Sequence, residues 1–538
     1  MATIWTDKGV SVTTIQGAVD SLPSTGGVVY LAPETSAGYY EIDSVITLPN
    51  NVTIEGLAKD AVVLRPADSH DDHIFINSDT VGTNTSITVR NLTIEGNGAN
   101  QSAGSGIYFR GVENCTLENL VVNDVYGFGI FLGGADGTAL TGTMTFTKDS
   151  TAVTGSGTLF TSELAVGDFI RTGGTSKVTF EIESITDDTN LVLRYRFLYT
   201  TESAVSATKL VPNRNFQANN ITMDKSYVSD ILGGGIWVDS NLSNIYTRDG
   251  GSFGLGFTSC SRVNFSNISI ETPKFDGIGC EGGADLRFSN INVIRAGSAG
   301  FKFIYGSADI QVDNCSAVAC ADGFSASWFS ATKSYGTDVQ FSNCLARDNG
   351  RHGFRAGSVQ RPNFFNCIAM NNGQTSTGYG FSLADDQSLP VDSATFSNCI
   401  ATDTQDTPTQ EGGIFFDTGT TNTRIIGGYY SGNKTSTYAG DKGDITMVGQ
   451  DTIGVNEIRN YALFNNVGTT ASSGDSTVVY QFDNSTMIST RTFSLVNGSP
   501  ESNVTAPPGS LAVDYNGGGG TTLYVKESGT SNTGWVGK

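Results

Sequence analysis

Asp239 and Glu281 each stand four residues after a glycine, Gly235 and Gly277, that opens a run of apolar residues at alternate positions. In an extended chain successive side chains face opposite ways, so the first and third residues after the glycine should point inward and the second and fourth outward. This assignment sets Asp239 and Glu281 on one exterior column, two repeats apart, with Trp237 on the exterior column beside it. At one sheet spacing of ~4.8 Å per repeat their backbones are ~10 Å apart. Side-chain lean can bring two such carboxyls into the ~6.5–9.5 Å range that leaves room for water in an inverting glycoside hydrolase. Lys302, next to Glu281, favours the ionised form there, which casts Glu281 as base and Asp239 as acid. Trp237 is expected to offer a ring to a sugar face, packing under a loop or a second subunit being the other reading. Asp249, between the two acids in the chain, is a further catalytic candidate. Asp276 and Asp322, each just before a repeat glycine, read as turn residues that bond local backbone.

The basic residues suggest a different chemistry. Arg347, Arg351, His352, Arg355 and Arg361 fall within one repeat, and Arg295 and Lys302 precede them. Against a net charge of -22 this is a local basic strip suited to an acidic glycan. A polysaccharide lyase neutralises a uronate carboxylate with a cation and takes the neighbouring proton with a base. Lys302, Arg355, and either His352 or Tyr305 are the residues expected to divide those jobs. Trp237, Tyr305, Arg355, His352 and Trp328 form the expected substrate-binding set, and Asp239, Glu281, Asp249 and Lys302 the catalytic one. No organic cofactor is expected. Three His do not suggest a zinc centre, and calcium held by carboxylate oxygens is the metal that stays open.

The elements that must position these residues repeat along the chain. Glycine, apolar, any, apolar recurs at Gly106, Gly129, Gly235, Gly254, Gly277, Gly300, Gly323, Gly353, Gly380 and Gly413, with 23 residues per step from Gly254 to Gly323. A second mark, Asn before alternating apolar residues, keeps pace at Asn220, Asn244, Asn267, Asn290 and Asn314 and continues at Asn343, Asn366 and Asn398. Short strands at a fixed period cannot bury anything alone, and stacking in parallel joins their inward residues into one core. The predicted fold is all-β, a parallel β-helix. Stacked Asn side chains should bond along its axis while tolerating a left-handed dihedral. Phe265, Phe288, Phe341, Phe364 and Phe396 mark an inward row, and Cys315, Cys344, Cys367 and Cys399 another, as packed free thiols.

Composition limits the alternatives. The 538 residues include 53 acidic and 31 basic ones, which argues against a duplex-binding surface. No apolar run approaches the ~20 residues of a membrane-spanning helix. Residues 1–6 lack the basic region and apolar core of an export signal, so action outside a cell would need another delivery route. Residues 1–60 read as an N-terminal cap and first coils, with a short amphipathic helix over Thr13–Leu22 stopped by Pro23, and 61–135 as the first part of the β-helix. The rhythm breaks at 136–211, an inserted small β domain expected to wall the groove, and resumes over 212–445. A β-rich region at 446–504, including Val478-Val479-Tyr480-Gln481-Phe482, and a terminal hairpin module at 505–538 complete the division.

The opening, from Ile15-Gln16-Gly17-Ala18-Val19 through Gly26-Gly27-Val28-Val29-Tyr30-Leu31-Ala32-Pro33 to Val52-Thr53-Ile54-Glu55-Gly56, resembles the pectate-lyase-like right-handed parallel β-helix superfamily. More narrowly it resembles the phage tailspike and depolymerase branch, over roughly residues 5–430. The resemblance implies a homotrimer attached to virion tail proteins, acting extracellularly on a surface polysaccharide; that neither nucleic-acid binding nor membrane insertion is expected rests on the charge and the lack of a long apolar run. The activity expected first is endo-acting glycoside hydrolysis. Lyase chemistry on an acidic glycan and non-catalytic binding, as an adhesin or tail fibre, stand as alternatives.

Overall fold

The computed structural model describes residues 4–7, 13–135, 137–176, 178–228, 232–326, 336–384, 391–416 and, in shorter pieces, parts of 420–538. Among these residues one sheet has 28 strands and a second has 14. Both pair in parallel from coil to coil, except where Ile4–Thr6 runs antiparallel to Gly27–Leu31 at the start. A representative coil gives Leu255–Thr258 to the 14-stranded sheet and Ser261–Glu271 to the larger one, and the next coil repeats the pattern with Ile278–Glu281 and Ala284–Ile294. This is the parallel β-helix that the repeat predicts, with the right-handed coiling that the resemblance implies.

The recurring Asn bends the long strand of each coil. Asn244, Asn267, Asn290, Asn314, Asn343 and Asn366 all have φ between 50° and 56°, in the left-handed region that Asn tolerates better than most residues. Their amides form the expected axial ladder: Asn267 donates to Asn244 at 3.2 Å, Asn290 to Asn267 at 3.1 Å and Asn314 to Asn290 at 2.7 Å. The ladder steps sideways where the sequence allows, Asn244 donating to Asn219 and Asn343 to Asp313.

The core runs inside the coils as one continuous cluster. Phe265 stacks on Phe288 at 4.7 Å and Phe364 on Phe396 at 4.7 Å, with Val312 taking the row's place between Phe288 and Phe341. A second stack, Phe301, Phe324, Phe354 and Phe381, rises from the 14-stranded sheet with steps of 4.6, 4.8 and 4.9 Å. The eight cysteines are free and buried. The repeat glycine has a steric cause. A Cβ on Gly277 would lie 2.3 Å from Val293 Cγ1, on another wall of the same coil, and 2.6 Å from the carbonyl oxygen of Gly300 in the next.

The capping helix is Ile15–Asp20, shorter than predicted, with Thr14 accepting the Gly17 N–H and Ile15, Ala18 and Val19 buried over the end of the core. The interruption after Leu132 contains a seven-stranded antiparallel unit, from Thr143–Phe146 to Ala207–Leu210, with its own core around Phe146, Phe160, Phe180 and Phe197. Parallel pairing continues through Tyr480–Gln481, so coiling extends past the point where the rhythm fades in the sequence. Val478, Val479 and Phe482 lie outside the described residues. The last strands, Leu511–Asp514, Leu523–Lys526 and Trp535–Gly537, pair antiparallel over Ala506, Ala512, Tyr524 and Trp535. Among the described residues no helix is long and apolar enough to cross a membrane.

Asn290 both donates and accepts in the ladder at φ 55°. Replacing it with Ala forces an ordinary residue into the left-handed region and removes two bonds, so Asn290→Ala should lower unfolding free energy by about 2 kcal/mol. Asn290→Gly should recover roughly half of that, both read from urea unfolding curves.

Candidate functional site

In the other marked coils the residues one and three places after the repeat glycine are buried in the core as expected; in the coil that carries Trp237 they are Ile236 and Val238, buried instead against Phe169 and Leu210 outside that core. Leu232 pairs with Leu255, Gly233 with Gly256 and Gly235 with Thr258, so the true counterpart of the repeat mark begins four residues before Gly235. Gly235-Ile236 instead makes the bend, with Ile236 at φ 55°, and Trp237 opens the long strand Trp237–Arg248. Its side chain therefore points inward. Trp237 is fully buried, 5.3 Å from the Phe257 ring, and its indole N–H donates to Leu132 O at 2.6 Å. The sugar platform expected there is corrected to a core residue.

The same shift separates the two acids. Asp239 belongs to the 28-stranded sheet, at φ 53°, whereas Glu281 ends a strand of the 14-stranded sheet. They occupy different walls, and the shared column that made them an acid–base pair does not exist. Asp239 is engaged by Arg262, whose Nε lies 2.6 Å from its Oδ1 and whose other end grips Glu181 of the inserted unit at 2.5 Å. Asp249 sits at a third left-handed bend, φ 55°, where it accepts from the Thr272 hydroxyl. Tyr305, at φ 55°, faces the inserted unit, and its carbonyl accepts from the Tyr199 hydroxyl. Trp328 lies outside the described residues.

Lys302 and Arg355 lie on one column two coils apart, and His352 lies in the column beside Arg355. On the outer face of the 14-stranded sheet Gly279, Lys302, Ser325, Arg355 and Ser382 stack in register, one per coil. Beside them runs a second column that pairs Ala299 with Asp322 and continues through His352 to Tyr379. Asp276 precedes it by one coil. These residues sit at or just before the start of each strand, where the backbone N–H of the next coil needs an acceptor. Asp276 Oδ1 accepts from Ala299 N at 2.8 Å, Asp322 Oδ1 from His352 N at 3.2 Å, and His352 Nδ1 from Tyr379 N at 3.2 Å. The two Asp-Gly signatures thus bond the following coil rather than their own turn.

The second oxygen of each carboxylate meets a cation. Asp276 Oδ2 is 3.3 Å from Lys302 Nζ, and Asp322 Oδ2 pairs with Arg351. Asp276 and Asp322 are nearly inaccessible, at 2% and 4% exposure, while Lys302 and Arg355 are only partly buried. Burial pushes His352 down to about 4, with Arg355 and Arg351 adding to the effect and Asp322 opposing it. The imidazole is therefore neutral, and because Nδ1 accepts a bond its hydrogen sits on Nε2. Aromatic residues flank this polar centre: Tyr379 stacks 5.8 Å from His352 and 4.5 Å from Phe415, and Phe253 covers the strip beside Gly279. Asp276 was legible only as a turn residue, because nothing in one repeat says that its partner lies in the next. Among the described residues no group of three or more His, Cys, Asp or Glu could hold a metal ion.

Residues 214–338 match the family described as right handed beta helix region. No curated protein matches the chain. Solved structures similar to it include the Azotobacter vinelandii mannuronan C-5 epimerase AlgE6 A-module, at 14% identity and TM-score 0.49, covering 84% of this chain and 94% of that one. The tailspike protein gp49 of Pseudomonas phage LKA1 is 12% identical with TM-score 0.42, covering 85% and 71%. PfbA, a surface adhesin of Streptococcus pneumoniae, is 10% identical with TM-score 0.42, covering 83% and 87%.

A histidine held neutral in the fold but free to charge when unfolded stabilises the protein above its unfolded value of 6.5, and that contribution is lost as pH falls toward 4. Wild-type unfolding free energy should drop by up to about 3 kcal/mol across this window. His352→Gln should flatten that part of the pH profile, measured by denaturant titration at each pH. By its coils and their pairing, the chain is a right-handed parallel β-helix.

Proposed function

We propose that the outer face of the 14-stranded sheet binds an acidic polysaccharide and cleaves it by β-elimination. The observation that carries this reading is that Lys302 and, two coils on, Arg351, His352 and Arg355 share one face, on a column that continues the other way as Gly279, Gly256 and Gly233. Arg355 neutralises the uronate carboxylate, and the Nε2–H of neutral His352 donates to the oxyanion that develops as the neighbouring proton leaves. Lys302, as the free amine, takes that proton while the electron pair expels the glycosidic oxygen from the adjoining carbon; the ammonium so formed, held by the buried carboxylate of Asp276, returns the proton to the leaving oxygen.

Hydrolysis by Asp239 and Glu281 lacks the common column it requires. Asp276 and Asp322 do not replace them, since each already holds a backbone N–H and a cation. Homotrimeric assembly and attachment to a virion tail, implied by the resemblance of the opening segment, belong to the same proposal.

Polygalacturonate, alginate and hyaluronan digested with the full chain should yield, for at least one polymer, products with the ultraviolet absorbance of an unsaturated uronate. Lys302→Met and Arg355→Met should each slow the reaction about 100-fold. New reducing ends without that absorbance would replace elimination by hydrolysis. Binding with unchanged polymer length would leave an adhesin, and wild-type rates in both variants would remove this face as the site.

A further inference from the structure

The inserted unit meets the coils just past the ends of the strands Ile278–Glu281 and Ala299–Ile304, where the Tyr199 hydroxyl donates to the Tyr305 carbonyl. It docks over the bend that joins the two sheets, through the Arg262 bridge between Asp239 and Glu181, an Arg214 bond to the Gly167 carbonyl, and an apolar patch of Phe169, Leu210, Ile236 and Val238. Between the insert and the coils it leaves a cavity of about 510 Å³. That volume falls in the ~300–1,000 Å³ range that encloses a ligand of a few rings.

The walls carry polar groups from both sides. The coils supply Asp309, Asp338 and Arg361, consecutive members of one left-handed column, and the insert supplies Asp149, Tyr195 and Arg196. Asp338 is fixed by a two-pronged bond to Arg361, at 2.7 and 2.6 Å, which holds its carboxyl below the ordinary range. Glu181 is taken by Arg262 and Arg194. Among the described residues Asp309 and Arg196 have no hydrogen-bond or ion-pair partner, although both line the cavity. Burial, with Asp338 and Asp285 nearby, raises the Asp309 carboxyl above its usual value. An anion placed beside Asp309 would meet the same crowding, which Arg361 only partly offsets. A ligand rich in hydroxyls would not: carboxylates accept from neighbouring hydroxyl pairs, the guanidinium donates to ring or hydroxyl oxygens, and tyrosine rings pack against the apolar face of a sugar.

We propose that this cavity is a second saccharide site, binding a neutral di- or trisaccharide segment through Asp309 and Arg196. It differs from the sheet face in charge preference, so a polymer engaging both carries neutral sugars as well as uronates. This goes beyond the elimination reading and does not need it, because the cavity binds whether or not the sheet face cuts.

Calorimetric titration of the full chain with maltotriose, cellotriose, chitotriose and trigalacturonate tests the proposal. At least one neutral trisaccharide should bind at one site per chain, and trigalacturonate should not compete for that site. Asp309→Asn keeps a residue suited to φ 54° while removing the charge, and should weaken binding about 10-fold, as should Arg196→Gln. Arg355→Met should leave it unchanged, and equal melting midpoints check that the variants are folded. Binding by no neutral trisaccharide, wild-type affinity in both cavity variants, or a preference of this site for trigalacturonate would each overturn it. So would loss of binding in Arg355→Met alone, which would move the sugar to the sheet face.

Discussion

Everything in this molecule depends on axial register: the coils stack one residue over its counterpart, at a spacing set by parallel backbone hydrogen bonds. Left-handed bends fix where each coil turns, and the Asn ladder ties one such bend to the next. Once register is set, residues 23 positions apart in sequence become neighbours, and a chemical group every coil becomes a continuous line. The Phe stacks are that line on the inside. Lys302, Ser325 and Arg355 are a counterpart on the outside.

The same dependence explains why the polar centre can be both buried and charged. An isolated Asp276 at 2% exposure would be strongly unfavourable, but the coil stack supplies a backbone N–H to one oxygen and the side chain of the next column supplies a cation to the other. Asp322 repeats the arrangement with His352 N and Arg351. Each coil thus satisfies the polar groups of the one before it, which is how a β-helix keeps a charged face without a separate domain to shelter it.

Much of the fold was legible because two marks per repeat report separate geometric demands. The Asn mark reflects a bend that needs φ near 55°, and the Gly mark reflects a cross-section too narrow for a Cβ. The candidate site was only half legible. Lys302 and Arg355 follow correctly marked glycines and His352 immediately precedes one, so the pattern puts them on the wall where the strands pair. Trp237 and Asp239 followed Gly235, a glycine of the bend in a segment with three consecutive glycines, and a slip of four residues turned a core tryptophan into an exterior one. Pattern alone cannot choose among adjacent glycines; the inter-coil pairing does. Asp309 and Asp338 escaped notice because they belong to a bend column outside both marks, and their significance comes from the inserted unit that covers them.

The glycine at the head of each short strand has a wider consequence. With Val293 already 2.3 Å from where a Gly277 side chain would begin, and Ala317 2.6 Å from that of Gly300, the interior has no slack for larger residues at these heights. A tube filled in this way cannot widen to gain new surface. It can lengthen by whole turns or grow sideways at its corners, and the seven-stranded unit between Ala135 and Val211 is a corner enlarged until it became a wall of its own.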